Sequence, residues 1–145
     1  MITAFIIVII SITFLLSTVY AYPQKGPAIP GTVTKIIDGD TIDAKLANNE
    51  TVRIRFTLAD TPERGEPGWR EATAYTKAKC PVGSIIIMDP DSGQGKSYKR
   101  NVAKVFCNNM LLINDALVDN GYGDINQTRY CARTEFKTEN WTGCN

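Results

Sequence analysis

The sequence predicts an α+β chain, mainly β: a small closed barrel of five strands, two main helices and a short C-terminal segment tied by a disulfide. Three observations predict it. Residues 31–58 hold three runs rich in Val, Ile and Thr, joined by turn residues. A helical run, Trp69–Lys79, follows the third of them. Two more strand-like runs, 84–88 and 101–107, precede a second, shorter helix. Short strands in this number manage their edges best by closing on themselves.

In chain order, residues 1–24 carry no charged side chain, and 2–16 are almost wholly aliphatic. Such a run is about long enough to span a bilayer. It ends in Ser17-Thr18-Val19-Tyr20-Ala21, and Val19 and Ala21 fit the small-residue rule for signal cleavage, although the basic start of a signal peptide is missing. Residues 1–21 are therefore read as a cleavable signal or a retained anchor, engaging the membrane or the export machinery. Either way the rest of the chain is secreted or membrane-anchored, outside the cytoplasm. Residues 22–30, with three prolines and a glycine, read as a linker.

The domain is expected over 31–124. Residues 31–37 read as a strand. Thr41–Leu46 alternates, with Ile42, Ala44 and Leu46 on one face, and Asn48-Asn49 turns the chain. In 51–58, Val52, Ile54, Phe56 and Leu58 should point inward, and Thr51, Arg53, Arg55 and Thr57 outward to a wet face. Ala72, Tyr75 and Ala78 have helical spacing in the run that Pro81 and Gly83 stop. The unbroken apolar run at 84–88 suits a strand buried on both faces. Residues 89–99 read as a polar loop, 101–107 as a strand turned back by Asn108-Asn109, and 113–120 as a short helix with Ile113, Ala116 and Leu117 inward and Gly121 after its C-terminus. The tail, 125–145, is poor in apolar residues, with a weak helix at 133–141. The OB architecture is the common barrel of this size and order.

Composition narrows the chemistry. The chain has 145 residues, 43% of them hydrophobic, and a net charge of +1. A protein holding nucleic acid by bulk charge would be far more basic, so any such attraction must be local and salt-sensitive. The absence of histidine removes Ser-His-Asp and Cys-His catalysis, His-ligated zinc and haem. Four cysteines stand far apart with no CxxC pair, which argues against a four-cysteine zinc site and, behind an export signal, reads as two disulfides.

The chemistry lies in two acidic turns. Ile36-Ile37-Asp38-Gly39-Asp40-Thr41-Ile42 places two carboxylates in a tight turn, and Asp60-Thr61-Pro62-Glu63 closes the third strand. Alone, the first reads as an ordinary hairpin turn held by Asx hydrogen bonds. Together they offer the hard oxygens that calcium prefers. Asp40 and Asp60 supply carboxylates. Pro62 restricts Thr61 to extended backbone, which can hold its carbonyl toward the ion. Asp38 is read as orienting water or the turn around that ion. Phosphodiester hydrolysis also needs an activated water and compensation of growing negative charge. Glu63 can position or deprotonate the water, and Arg55 and Arg100 can hold phosphoryl oxygens in bidentate fashion.

Residues 31–123 resemble the staphylococcal nuclease (thermonuclease) family. The matching pieces are IIDGDTI, VRIRFTLADTPE from Val52, the Glu71-Ala72 pair, SYKR ending at Arg100, and INDALVDNGY from Ile113. Each piece is weak alone; the ordered set is specific. The resemblance implies an OB barrel that cleaves DNA and RNA with calcium, Asp40, Asp60 and the Thr61 carbonyl as metal ligands, Arg55, Glu63 and Arg100 as catalytic residues, and Tyr98 against the nucleotide. Lys99 stands where the family has glycine, and adds a candidate phosphate contact. The family's base-pocket tyrosines have no clear counterpart: 127–130 occupies that region. The alternative is a non-catalytic OB-fold module that binds nucleic acid. Neither reading implies a protein partner, and a monomer is expected.

In an OB barrel of this order the start of the fourth strand lies beside the end of the fifth. That pairs Cys80 with Cys107 and leaves Cys131 with Cys144 to close the tail. Two other connectivities are compatible with the sequence.

Overall fold

The computed structural model of the chain describes residues 26–97, 99–108, 111–124 and 130–144. The apolar run 1–24 lies outside the described residues, among which no helix is long and apolar enough to cross a membrane.

An antiparallel meander of β1 (Ile29–Ile36), β2 (Thr41–Leu46) and β3 (Thr51–Phe56) opens the fold. Ile36 faces Ile42, which faces Ile54, so the β-branched residues stack on one side. After α1 (Trp69–Lys79) come β4 (Ile85–Pro90), the two-residue β5 (Lys96–Ser97) and β6 (Arg100–Cys107). The two-residue β7 (Leu111–Leu112) leads directly into α2 (Ile113–Asp119). The strand order β3-β2-β1-β4-β6 closes on itself through a parallel β3–β6 pairing. This is a five-stranded mixed barrel with short additions, α+β and mainly β. Val33, Ile42, Ile54, Phe56, Ile86 and Val105 fill its interior.

Several boundaries differ from the sequence reading. β1 begins at Ile29, within the stretch read as linker, because Pro30 pairs opposite Ile87 near the strand's start, where the missing N–H is tolerated. β3 stops at Phe56, and its outward face is wet only at Thr51 and Arg53: Arg55 is 9% exposed and Thr57, just beyond the strand, 1%. β4 is not buried on both faces, since Ile85 is 55% exposed. The loop after it contains β5, which pairs back on Arg100 and Asn101. On α1, Ala72, Thr73 and Thr76 are buried, while Ala78 is exposed.

The tail holds the largest difference. No α-helix forms at 133–141; the segment runs through turns to a three-residue 3-10 helix, Asn140–Thr142. It packs on the outside of the barrel. Ala103, Val105 and Cys107 point into the core, so Val102, Lys104 and Phe106 point out, yet all three are buried. Lys104 is fully buried and faces Asp89 across the β4–β6 ladder at 3.4 Å. Its ammonium also meets Glu139 at 3.1 Å and lies 4.4 Å from the Phe136 ring centre. Two disulfides, Cys80–Cys107 and Cys131–Cys144, join α1 to β6 and close the tail upon itself.

Candidate active site

Strand pairing brings the two acidic turns together. Thr41 stands opposite Arg55, so the residue before Thr41 lies at the end of β3 where the arginine emerges. The Asp40 carbonyl accepts the Phe56 N–H at 2.8 Å, fixing the first turn against that strand. Gly39 is needed for close approach: a Cβ there would lie 2.8 Å from the Ala72 Cβ and 2.8 Å from the Thr61 hydroxyl. The Thr76 hydroxyl donates to the Gly39 carbonyl at 2.5 Å, so α1 clamps the turn from behind. The Asp38-Gly39-Asp40 turn therefore touches both α1 and the Asp60-Thr61 turn.

One guanidinium joins the two aspartates. Arg55 Nη1 donates to Asp40 Oδ2 at 2.8 Å, and Nη2 donates to Asp60 Oδ1 at 2.5 Å. The Thr61 N–H donates to the same Asp40 Oδ2 at 3.1 Å, and the Thr41 hydroxyl to Oδ1 at 2.7 Å. Asp40 is thus held on both oxygens and is buried, whereas the Asp60 side chain is 41% exposed. Asp60 is fixed through its backbone instead, by paired hydrogen bonds with Asp124 at 3.0 and 2.9 Å.

Negative charge is in excess. Two carboxylates face one guanidinium, and Asp38 adjoins them, its Oδ1 accepting the Asp40 N–H at 3.3 Å. Burial, followed by the neighbouring Asp40 charge, pushes the Asp38 carboxyl up to about 6. For Arg55, burial acts to lower the pKa, but Asp40 and Asp60 outweigh it, with a smaller contribution from Tyr130, and the value is raised. The guanidinium stays charged. Among the described residues no three His, Cys, Asp or Glu side chains converge as a metal cage.

The other candidate residues lie around this cluster. Glu63 is exposed on the turn that follows Thr61, and its N–H donates to Glu66 Oε2 at 2.7 Å. Arg100 is half-buried at the start of β6, two residues before Val102, the register partner of Arg55. Lys99 is exposed, with φ 64. That is the left-handed region, which explains why glycine suits this position. Tyr98 lies outside the described residues.

Sequence reasoning missed the wall of the site. A cleft of about 290 Å3 opens beside Asp60 and Thr61, bounded across the way by Glu66, Tyr122 and Asp124. Asn114, fully buried, accepts the Val105 N–H at 2.9 Å and donates to Thr57 O at 2.7 Å and Ala103 O at 3.1 Å. It ties α2 to the strand that carries Arg55. A polar residue between Ile113 and the inward Leu117 was the one available signal.

Parts of known nucleases share this sequence. The chain is 29% identical over 113 residues to endonuclease YhcR of Bacillus subtilis (strain 168), covering 70% of this chain and 9% of that one. It is 50% identical over 36 residues to micrococcal nuclease of Shigella flexneri, covering 25% of this chain and 20% of that one. An uncharacterized protein of Bacillus anthracis is 31% identical over 113 residues, 73% of this chain. The chain spans about half that relative's length (52%) and far less of YhcR (9%). No protein-family model matches it. The matched stretches make this a nuclease-like chain in sequence.

Proposed function

We propose that the chain is a calcium-dependent phosphodiesterase that hydrolyses DNA or RNA outside the cytoplasm. One observation carries this reading: Arg55 gathers Asp40 and Asp60, twenty residues apart in sequence, into a single cluster with surplus negative charge at the edge of an open cleft. Such a cluster asks for a hard cation, and carboxylates with a backbone carbonyl are suitable donors for one. Asp40, Asp60 and the Thr61 carbonyl would hold calcium. When bound, the ion would polarise the phosphoryl oxygen and favour ionisation of water.

The chain's own groups supply the remainder. Arg55, held by both aspartates and always charged, would offer its remaining N–H groups to a phosphoryl oxygen. Arg100 approaches the same oxygens from β6, Lys99 contacts an adjoining phosphate, and Tyr98, which lies outside the described residues, is assigned to the nucleotide. Glu63, exposed beside Thr61, takes the proton of the attacking water. Asp38 holds the first turn through the Asp40 N–H. Two disulfides, together with the apolar run at 1–24, support a location outside the cytoplasm.

The test is hydrolysis of single-stranded DNA and RNA by the purified chain, with calcium and with a chelator. Calcium should switch cleavage on and chelation should stop it. Glu63→Gln and Arg100→Ala should each lower kcat by at least 10²-fold. Undiminished cleavage by either variant would defeat the assigned roles. Binding of single-stranded DNA without hydrolysis under any metal would return the chain to the non-catalytic module.

A further inference from the structure

We propose that Tyr130 is a positioning residue for Arg55, and that the loop closed by Cys131–Cys144 is the clamp that keeps it there. Two separate observations point to this. Tyr130 shares with Arg55, Asp60 and Val102 the lining of a small cavity on the outer face of β3 and β6. The second observation is a contact through Asp91, which is 1% exposed. Its Oδ2 accepts the Thr57 hydroxyl at 2.6 Å and the Thr134 hydroxyl at 2.7 Å, and its Oδ1 accepts the Glu135 N–H at 3.1 Å. Thr57 is two residues beyond Arg55, so one carboxylate bolts the tail to the strand end that carries the guanidinium.

The disulfide encloses the tail's anchors. Thr134, Glu135, Phe136 and Glu139 all fall within the loop from Cys131 to Cys144, a separation of 13 residues, and Cys131 directly follows Tyr130. Opening the ring should loosen a segment that holds the barrel through the Asp91 hydrogen bonds, the Lys104–Glu139 pair and the buried Phe136. The two bridges differ in access. Cys80 and Cys107 are 0% and 1% exposed, whereas Cys131 and Cys144 are half-buried. A small dithiol should open the tail first. One thiolate of the dithiol attacks a cysteine Sγ and forms a mixed disulfide; its second thiolate displaces that sulfur. The S–S bond takes up two electrons, both cysteines end as thiols, and the dithiol becomes a cyclic disulfide.

The kinetic part of the test rests on the nuclease reading; the spectroscopic part does not. The full chain is compared oxidised, after mild reduction by dithiothreitol, and as the Cys131→Ser/Cys144→Ser variant, with Tyr130→Leu and Tyr130→Phe alongside. Exchange of the Arg55 side-chain N–H protons with water, followed by NMR, should accelerate at least tenfold on opening the bridge and in Tyr130→Leu. Tyr130→Phe, which keeps the ring, should stay near the oxidised chain. With calcium and single-stranded DNA, kcat should fall about tenfold while KM moves less than threefold, as misplacement of a bound catalytic group would give. If the Arg55 protons exchange no faster in the reduced chain and in Tyr130→Leu, the clamp is wrong. Hydrolysis that neither change affects overturns the clamp and leaves the nuclease. Faster Arg55 exchange in a chain that cleaves nothing upholds the clamp and sinks the nuclease.

Discussion

Two clusters of the same stoichiometry sit on the outer face of the barrel. In each, one cation meets two carboxylates: Arg55 with Asp40 and Asp60, and Lys104 with Asp89 and Glu139. The second is closed. Its side chains are 0%, 0% and 7% exposed, Glu139 accepts the Trp141 indole N–H at 2.5 Å, and Asp89 accepts the Gly26 N–H at 3.0 Å. Its excess negative charge is met by the protein's own donors. The first is open: the Asp60 side chain is 41% exposed and borders the cleft. Its excess charge faces a space that a ligand can enter. The same ionic arithmetic is closed within the protein where the site is sealed and left open to a ligand where one member is uncovered.

The contrast can be broken at the open end first. Arg55→Lys keeps one positive charge but loses the fork that reaches both carboxylates and, on the proposed function, a phosphate. It should lower kcat for DNA hydrolysis by roughly 10³-fold, with a much smaller loss in the urea midpoint. A variant with near-normal kcat would mean that Arg55 only holds the turns together. The closed cluster should behave in the opposite way. Lys104→Met withdraws the ammonium from two buried carboxylates and should cost about 3–5 kcal/mol in urea unfolding. Its kcat, measured below the melting transition, should change far less than that of Arg55→Lys.

Gly39→Ala probes what brings the open cluster together. The added Cβ meets Ala72 and Thr61 at 2.8 Å, so the turns must part. Overpacking of this kind costs about 1–3 kcal/mol, and calcium affinity by titration calorimetry should fall with it. The smallest effect belongs to Arg53, two residues from Arg55. It makes a well-formed pair with Asp43, at 2.7 and 2.9 Å, but is 46% exposed. Arg53→Ala should cost under ~1 kcal/mol. The hydrogen bond from Arg53 lowers the Asp43 pKa from its ordinary 3.8. The pair's contribution is therefore present above that ordinary value and lost as pH falls through the lowered one. The difference between the two proteins should close in strongly acid urea titrations and persist at neutral pH.

Much of this was legible in the sequence. Strict alternation in Val52, Ile54 and Phe56 gave the third strand and its inward face, because a period of two is a property of the strand itself. The gathering of Asp40, Asp60 and Thr61 around Arg55 could be anticipated, because each acidic turn ends a strand of one meander. Lys104, by contrast, looks in sequence like any outward strand lysine. Nothing within a few residues of it reveals Asp89 or Glu139, and the polar tail gave no sign that it covers β6.

The chain by itself determined what periodicity and turn chemistry can fix locally: the strands, α1, the sharp bends at Gly39 and before Pro62, and a cysteine count that permits two bridges. Only the tertiary structure decided which outward residues are buried. Exposure belongs to the surface that packs against a residue, and the segment that covers Lys104 comes from tens of residues further along the chain.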